Sequence, residues 1–443
     1  MWRLCRAVLF VAYCLQIASL YAILIAMMEK LTHNNGTRIV FEHLPHVRSA
    51  AFGVWVGTGS RHETSSLAGA SHALEHMAFK GTLTRSSQEI ARHMDSIGGR
   101  LNAFTTKEFT CYYGRALDTH LTEALDLIFD IYFDAKLDEN DWQTERGVIL
   151  EEISMYDDAP DDLVSERLFK AVFHGSPLAR PILGTPKRLA GISAADLRAY
   201  RDNEYRPSET VFSIAGCFTD KHIEYITERL NVPSKPKRKP ERQAEFKPSR
   251  VTKKKPIEQN HWCLAYEGLP IGHEDRHTMQ IMSGILGDGM SSRLFRAVRE
   301  DAGLCYEISS FTTAHRDIGL TGVYMALGRE SEDKALSMVR DIIADFTEHG
   351  PTPDEVERAR EQIKSSMVMS LESTQARMNH MGQSQLLLGY TLSQDEVIDR
   401  YDAITREGVH TLAQRLLKPA MLSFSAVGRV DKPEEYNQLT VNS

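Results

Sequence analysis

Cysteine is scarce in this chain: six among 443 residues, with no Cys-x-x-Cys pair. That excludes a disulfide-built scaffold and a cysteine-zinc module. Positive charge is not in excess either. Fifty-two Lys and Arg face 60 Asp and Glu, for a net charge of −8, so nucleic acid is not an expected partner. With 42% hydrophobic and 25% charged residues, the chain is neither disordered nor a polytopic membrane protein. The length allows two or more domains. Histidine is plentiful at 17, so any question of zinc falls to His and Glu.

Residues 1–28 stand apart. Ala7 to Met28 is almost wholly apolar and follows Arg3 and Arg6. Three readings stay open: a membrane-spanning anchor, a signal peptide, or a wrongly assigned start with the true one at Met27 or Met28. Contact with a membrane is expected only through residues 7–28, if they are retained. A start near Met27 or Met28 implies a cytoplasmic protein, and the four scattered cysteines of the body suit a reducing compartment.

The body divides into residues 29–232, a basic Pro-rich linker at 233–256, and residues 257–436. The linker holds five prolines and few apolar residues, and a single aromatic among its charges, Phe246, is too little for base stacking. The flanking segments share an order of strands and helices. Pro207 and Pro419 close them in the same way, and so do Gly216 and Gly428; both pairs share one sequence offset. The fold class is therefore α+β, with two homologous sheet-plus-helices domains. Strands are expected at Thr37–Glu42, Ala50–Val56 and Thr210–Ala215, and one alternating run spans Arg100–Tyr113. Asn35-Gly36-Thr37 fits a glycosylation pattern and reads as a turn. In the second segment the spacing predicts a helix over Ser291–Glu300 and a strand from Cys305. Gly284 to Ser292 is rich in glycine, but it lacks the Gly-Lys-Ser/Thr ending of a phosphate loop.

The chemistry concentrates at His72-Ala73-Leu74-Glu75-His76. On a helix starting near Ser66, which can cap it, the two histidines are four residues apart and project from one face. That spacing grips one tetrahedral zinc. Glu75 can reach a water on the metal without being a ligand. Further along, Trp142, Glu145, Ile149, Glu152 and Tyr156 fall on one helical stripe. Carboxylates on an otherwise apolar stripe need a metal or a counter-charge. Glu152 is the candidate third ligand. Glu145 orients a ligand or the water, or else pairs with a base such as Arg146. Glu151 falls off the stripe and faces solvent. Three protein ligands and one open position make a hydrolytic zinc site.

These residues resemble the pitrilysin/insulinase family of inverted-motif zinc peptidases, and most of all its short branch with the mitochondrial processing peptidases and bacterial relatives. The family pattern is HxxEH, then a Glu far downstream at a characteristic spacing from the second His, with another Glu seven before it. Glu152 stands at that spacing from His76, and Glu145 seven before Glu152. The resemblance runs from Leu31 to Val430. It implies two domains of the LuxS/processing-peptidase-like type, forming half of a clamshell. It also implies zinc ligands His72, His76 and Glu152, one zinc ion per chain, and Glu75 as catalytic base.

Gly98 to Thr110 reads as an exposed strand edge able to bind peptide main chain to main chain. Asn102 and Ala103 match the family's peptide-contacting positions, and Phe104 follows them. Arg299 and Tyr306 match an Arg-x6-Tyr pair that binds substrate and the tetrahedral oxyanion. In the family this pair sits opposite the zinc, so a short chain would supply it in trans, through a homodimer or a heterodimer with a homologous subunit. The expected activity is zinc-dependent endopeptidase cleavage of extended peptides or unfolded protein segments. The alternative is a catalytically silent or regulatory homologue serving as an assembly subunit.

Overall fold

A computed structural model of the chain describes residues 28–238 and 242–440. The apolar run expected to span or leave a membrane lies outside them except for its last residue. Among the described residues no helix is long and apolar enough to cross a membrane, and the four cysteines are free thiols.

The first sheet is built from β1 (Glu29–Thr32), β2 (Arg38–His43), β3 (Ser49–Val56), β4 (Arg100–Thr105), β5 (Thr110–Leu117) and β6 (Thr210–Gly216). The second is built from β7 (Arg250–Lys254), β8 (Gln259–Gly268), β9 (Glu307–Ala314), β10 (Gly319–Gly328) and β11 (Ser423–Gly428). The strand orders are β1-β2-β6-β3-β5-β4 and β7-β11-β8-β10-β9. Without β1 the two orders are the same. In each sheet the parallel pair is equivalent, β2 with β6 and β7 with β11. Gly216 and Gly428 end the matched strands with φ of 133° and 139°. An added Cβ would stand 2.3 Å from Ser49 O at the first and 2.3 Å from Asn260 Oδ1 at the second. Glycine is required at both.

Two expectations change. The run Arg100–Tyr113 is not one strand but the hairpin β4–β5. Thr106 turns it: its hydroxyl donates to Phe109 O at 2.9 Å and accepts from Phe109 N at 3.0 Å, a side-chain turn that outcompetes the ladder. The linker 233–256 is not all linker, because Arg250–Lys254 is β7. Its charges disguise it, and Lys is what an edge strand tolerates. The segment before β7 is also fastened, through Lys235 Nζ to Asp202 O at 2.6 Å and Arg238 to Glu204 at 2.9 Å. The turn at Asn35 does form, and its amide is occupied, donating to Leu230 O and Val232 O at 2.9 Å each.

Each sheet packs one face on its own helices and the other on a helix from the opposite half. Helix Thr374–Leu387 sets Met378, Met381 and Leu386 on the face of the first sheet formed by Val40, Ala51, Trp55 and Val211. Helix Pro160–Val172 sets Val164, Leu168 and Val172 on Cys263, Ala265, Leu320 and Val427 of the second. The approach is close enough that a Cβ at Gly382 would fall 2.1 Å from Trp55 Nε1. Sheets covered on both faces explain why every residue of β6 and of β11 is buried.

An ion network links the two hairpin turns across this junction. Arg61, 5% exposed, donates to Glu108 at 2.5 Å and clasps Asp317 with two 2.9 Å bonds. Arg316 N donates to both oxygens of Glu108 at 3.2 and 3.1 Å. Burial pushes the Glu108 carboxyl up, but His315, Arg61 and the Arg316 amide outweigh it and hold it below its ordinary value. Asp317 is lowered against burial in the same way, by Arg61 and by the Ala244 amide. Carboxyls depressed in the folded state stabilise above their unfolded pKa and lose that contribution as pH falls through the folded one. Arg61→Met takes the guanidinium from the buried Glu108 and the half-buried Asp317 and is expected to cost about 3–5 kcal/mol at neutral pH. Denaturant unfolding as a function of pH checks this: the gap between wild type and variant should narrow in acid.

Candidate metal centre

The motif helix is Ala70–Ala78, so it starts later than Ser66, and Ser66 does not cap it. Its N-cap is Gly69, left-handed at φ 101°, which has no side chain to offer. The cap comes instead from Glu63. Its two oxygens accept from Gly69 N and Ser71 N at 2.8 Å each, meeting the orphan donors of the first turn. Glu63 is 2% exposed, and burial pushes its pKa up to about 7 against the pull of those amides. Tyr200 OH, 3.0 Å from Ser71 Oγ, ties the helix start to helix Ala194–Glu204.

The two imidazoles lie one turn apart with ring centroids 4.5 Å from each other. They face helix Glu139–Asp158, capped by Asp138 and anchored by Trp142, whose indole donates to Ile192 O at 2.7 Å. Its inner stripe buries Trp142, Glu145 and Ile149. Glu151 is solvated. Tyr156 lies near the end of the helix and is exposed.

One oxygen of Glu152 stands 3.6 Å from His72 Nε2 and 3.6 Å from His76 Nε2. All three donor atoms lie within 4.8 Å of one another. Zinc held at about 2.0–2.1 Å in a tetrahedron needs donors roughly 3.3 Å apart, so these residues fit that ion. Burial, and then the neighbouring His76, lower the His72 pKa to about 3. His72 is thus already neutral, as a metal ligand must be.

Glu145 takes both roles that its sequence position allows. Its Oε1 stands 3.5 Å from His76 Nδ1, and its Oε2 pairs with Lys80 rather than Arg146. Glu75 is half-buried and accepts a 2.6 Å hydrogen bond from Thr105 Oγ1. Burial raises its pKa and Glu152 adds to the rise, while Thr105 and His76 oppose it.

Strand β4 is the end strand of its sheet. Thr105 and Ala103 share the face that looks toward Glu75. Asn102 is exposed, and its Oδ1 accepts from Ala103 N at 2.9 Å. Phe104 is a correction as a side chain offered to substrate. Its ring points to the opposite face, edge-on to Trp55 and Phe109 at 5.9 Å and Tyr113 at 5.8 Å, because strand alternation turns it under helix Thr374–Leu387.

Arg299 sits on a π-helix, Phe295–Asp301, in place of the last turns of the expected α-helix, and β9 starts after Tyr306. The Arg299 guanidinium covers the rings of Phe295 at 4.6 Å and Tyr306 at 5.5 Å. The structure joins these two to each other. Among the described residues, neither makes a hydrogen bond or ion pair with the metal-centre side chains. Sequence reasoning missed Glu63, Lys80 and Thr105. Lys80 had a signal, four residues after His76 on the same helical face. Thr105 had one too, sharing parity with Ala103. Glu63 had none.

A duplicated sheet-and-helix fold with an HxxEH helix facing a glutamate helix defines the inverted-motif zinc peptidases. The family model "Insulinase (Peptidase family M16)" matches residues 38–186, and "Peptidase M16 inactive domain" matches residues 191–363. An uncharacterized zinc protease of Bacillus subtilis, YmxG, is 42% identical over 391 residues, covering 88% of this chain and 96% of that protein. The uncharacterized zinc protease SCO5738 of Streptomyces coelicolor is 38% identical over 403 residues, covering 89% of this chain and 88% of that one. In fold, the chain superposes on a crystal structure of a peptidase M16 inactive domain from Pseudomonas fluorescens with TM-score 0.86 at 19% identity, over 92% of this chain and 98% of that one. This chain belongs to peptidase family M16, the insulinase family.

Glu63→Ala unpairs two buried amides at the head of the motif helix. It is expected to destabilise the protein by about 1–3 kcal/mol and to speed hydrogen exchange at the Gly69 and Ser71 amides.

Proposed function

We propose that this chain is a zinc-dependent endopeptidase that hydrolyses extended peptides or unfolded polypeptide segments, with one zinc ion per chain. The observation that carries the reading is the convergence of His72, His76 and Glu152 within 4.8 Å. These three would hold the metal, leaving a fourth position open. Bound there, zinc supplies Lewis acidity, polarising the scissile carbonyl and drawing a water pKa toward neutrality.

Glu75 is the general base. It stands next to His76 in sequence, is half-buried, and has a pKa raised from the ordinary carboxyl value, so its conjugate acid can pass the proton on to the leaving amine. The Thr105 hydroxyl occupies Oε2 and leaves Oε1 to take the proton. The free edge of β4 receives the substrate as an added strand, which binds main chain irrespective of sequence and holds it extended. Asn102 and Ala103 lie along that edge. Arg299 and Tyr306 complete the site from a second chain, in a homodimer or with a homologous subunit, and steady the oxyanion.

Chelation is expected to abolish cleavage of an unfolded polypeptide, and added zinc to restore it. Glu75→Gln should keep the metal and lose at least about a hundredfold in kcat. Thr105→Val should lower kcat roughly tenfold by loosening the base, with KM nearly unchanged. Mixing inactive Arg299→Ala with inactive Glu75→Gln tests the second chain. Recovered activity is the expected result, and none would place the whole site within one chain.

A further inference from the structure

Behind the metal centre stands a charge relay. Glu145 is 3% exposed, and it points Oε1 at His76 Nδ1 from 3.5 Å. A buried carboxylate needs a counter-charge, or it takes up a proton or leaves. The cation set against it is Lys80, on Oε2. Lys80 lies just past the end of the motif helix, four residues after His76, and so comes up on the same face as the ring it serves. Its side chain is 40% exposed. Lys80→Met keeps an unbranched stem of similar reach and removes the charge.

The two imidazoles differ in this support. His72 Nδ1 is buried with no hydrogen-bond partner among the described residues, and packing alone orients its ring. His76 is half-buried and relies on the acceptor behind it. An imidazole that ligates through Nε2 must carry its proton on Nδ1, and the group accepting that proton sets both tautomer and ring angle. For His76 the group placed to accept is Glu145, 3.5 Å from Nδ1, and what holds Glu145 in place is Lys80.

Resting on the zinc-peptidase reading, we propose that Lys80 is a positioning residue of the metal centre, acting through Glu145 on His76 rather than on substrate. Two effects compete when Lys80 is removed. Loss of a nearby positive charge favours a cation, while loss of the Glu145 anchor disorders a ligand. The relay geometry makes the second dominant, since the ammonium touches the carboxylate and not the ligand atoms.

The test is zinc affinity of the full chain by chelator competition, with thermal melting of the metal-free proteins alongside. Lys80→Met should bind zinc about tenfold or more weakly than wild type with a similar melting temperature, and Lys80→Arg should restore most of the affinity. In a Glu145→Gln background the Lys80→Met change should add nothing further. Wild-type affinity in Lys80→Met, or tighter binding, overturns the inference while the zinc reading stands. So does an undiminished Lys80 effect in the Glu145→Gln background, which also decides the matter should Lys80→Met alone fold poorly. Wild-type protein that takes up no zinc overturns the zinc reading itself.

Discussion

One oxygen of Glu152, held 3.6 Å from each of two imidazole nitrogens, is the constraint on which the rest of the molecule turns. The three groups come from two helices far apart along the chain, with two strands and two further α-helices between them. None of them gains much from the others without a cation, since the contacts from Glu152 to the two rings are 3.6 Å long. The arrangement has to be imposed by what surrounds it. Glu63 imposes it at the start of the motif helix, Lys80 and Glu145 beyond its end. Trp142 and Ile149 seat the facing helix in the core, and Thr105 ties the end strand to Glu75. Such supporting groups are how a fold fixes reactive side chains to a few tenths of an ångström.

The exchange of helices extends this constraint to the whole chain. Helix Glu139–Asp158 carries Glu152 and passes through Ala159 directly into helix Pro160–Val172, which packs on the second sheet. The second half returns a helix to the back of the first sheet, against Trp55. The Arg61–Glu108–Asp317 network then ties the turn of the hairpin carrying β4 to the turn between β9 and β10. The glutamate that meets the histidines and the strand beside Glu75 are both fastened to the other half. Loosening that junction would be felt at the site, although among the described residues the cluster that could hold a metal lies wholly in the first half.

Much of this was legible in the sequence. The HxxEH spacing and the glutamate stripe named the three groups that meet, because helical periodicity is a local property that survives folding. The offset common to Pro207 with Pro419 and Gly216 with Gly428 announced the duplication, and it holds more than it first yields. Arg38 and Arg250 stand at the same offset, and they open the equivalent strands β2 and β7. Composition hid β7, since three of its five residues are charged. What could not be read locally was long-range pairing. Glu63 caps a helix across five intervening residues, and the face to which strand alternation turns Phe104 is covered by a helix from the other half. Arg299 and Tyr306 come together on a π-helical turn but stay apart from the zinc candidates.

The second half shows what the metal centre costs. Its helix Arg276–Gly287 packs on the end hairpin β9–β10 and against helix Pro353–Ser370, just as the motif helix packs on β4–β5 and against helix Glu139–Asp158. There the contact is made by Met282, Ile285 and Leu286 facing Val356 and Ala359, with Ser283 donating to Ser310 at 2.9 Å. Apolar side chains therefore suffice to hold this pair of helices in this fold, and the hydroxyl pair ties the first of them to β9. The first half puts two histidines, two glutamates and a lysine in the same place. A polar cluster of that kind is no more stabilising than the apolar packing that replaces it, and often less. Its presence in one copy and absence from the other is best explained by what the cluster does rather than by what it holds together, which is the signature of a functional site on a duplicated scaffold.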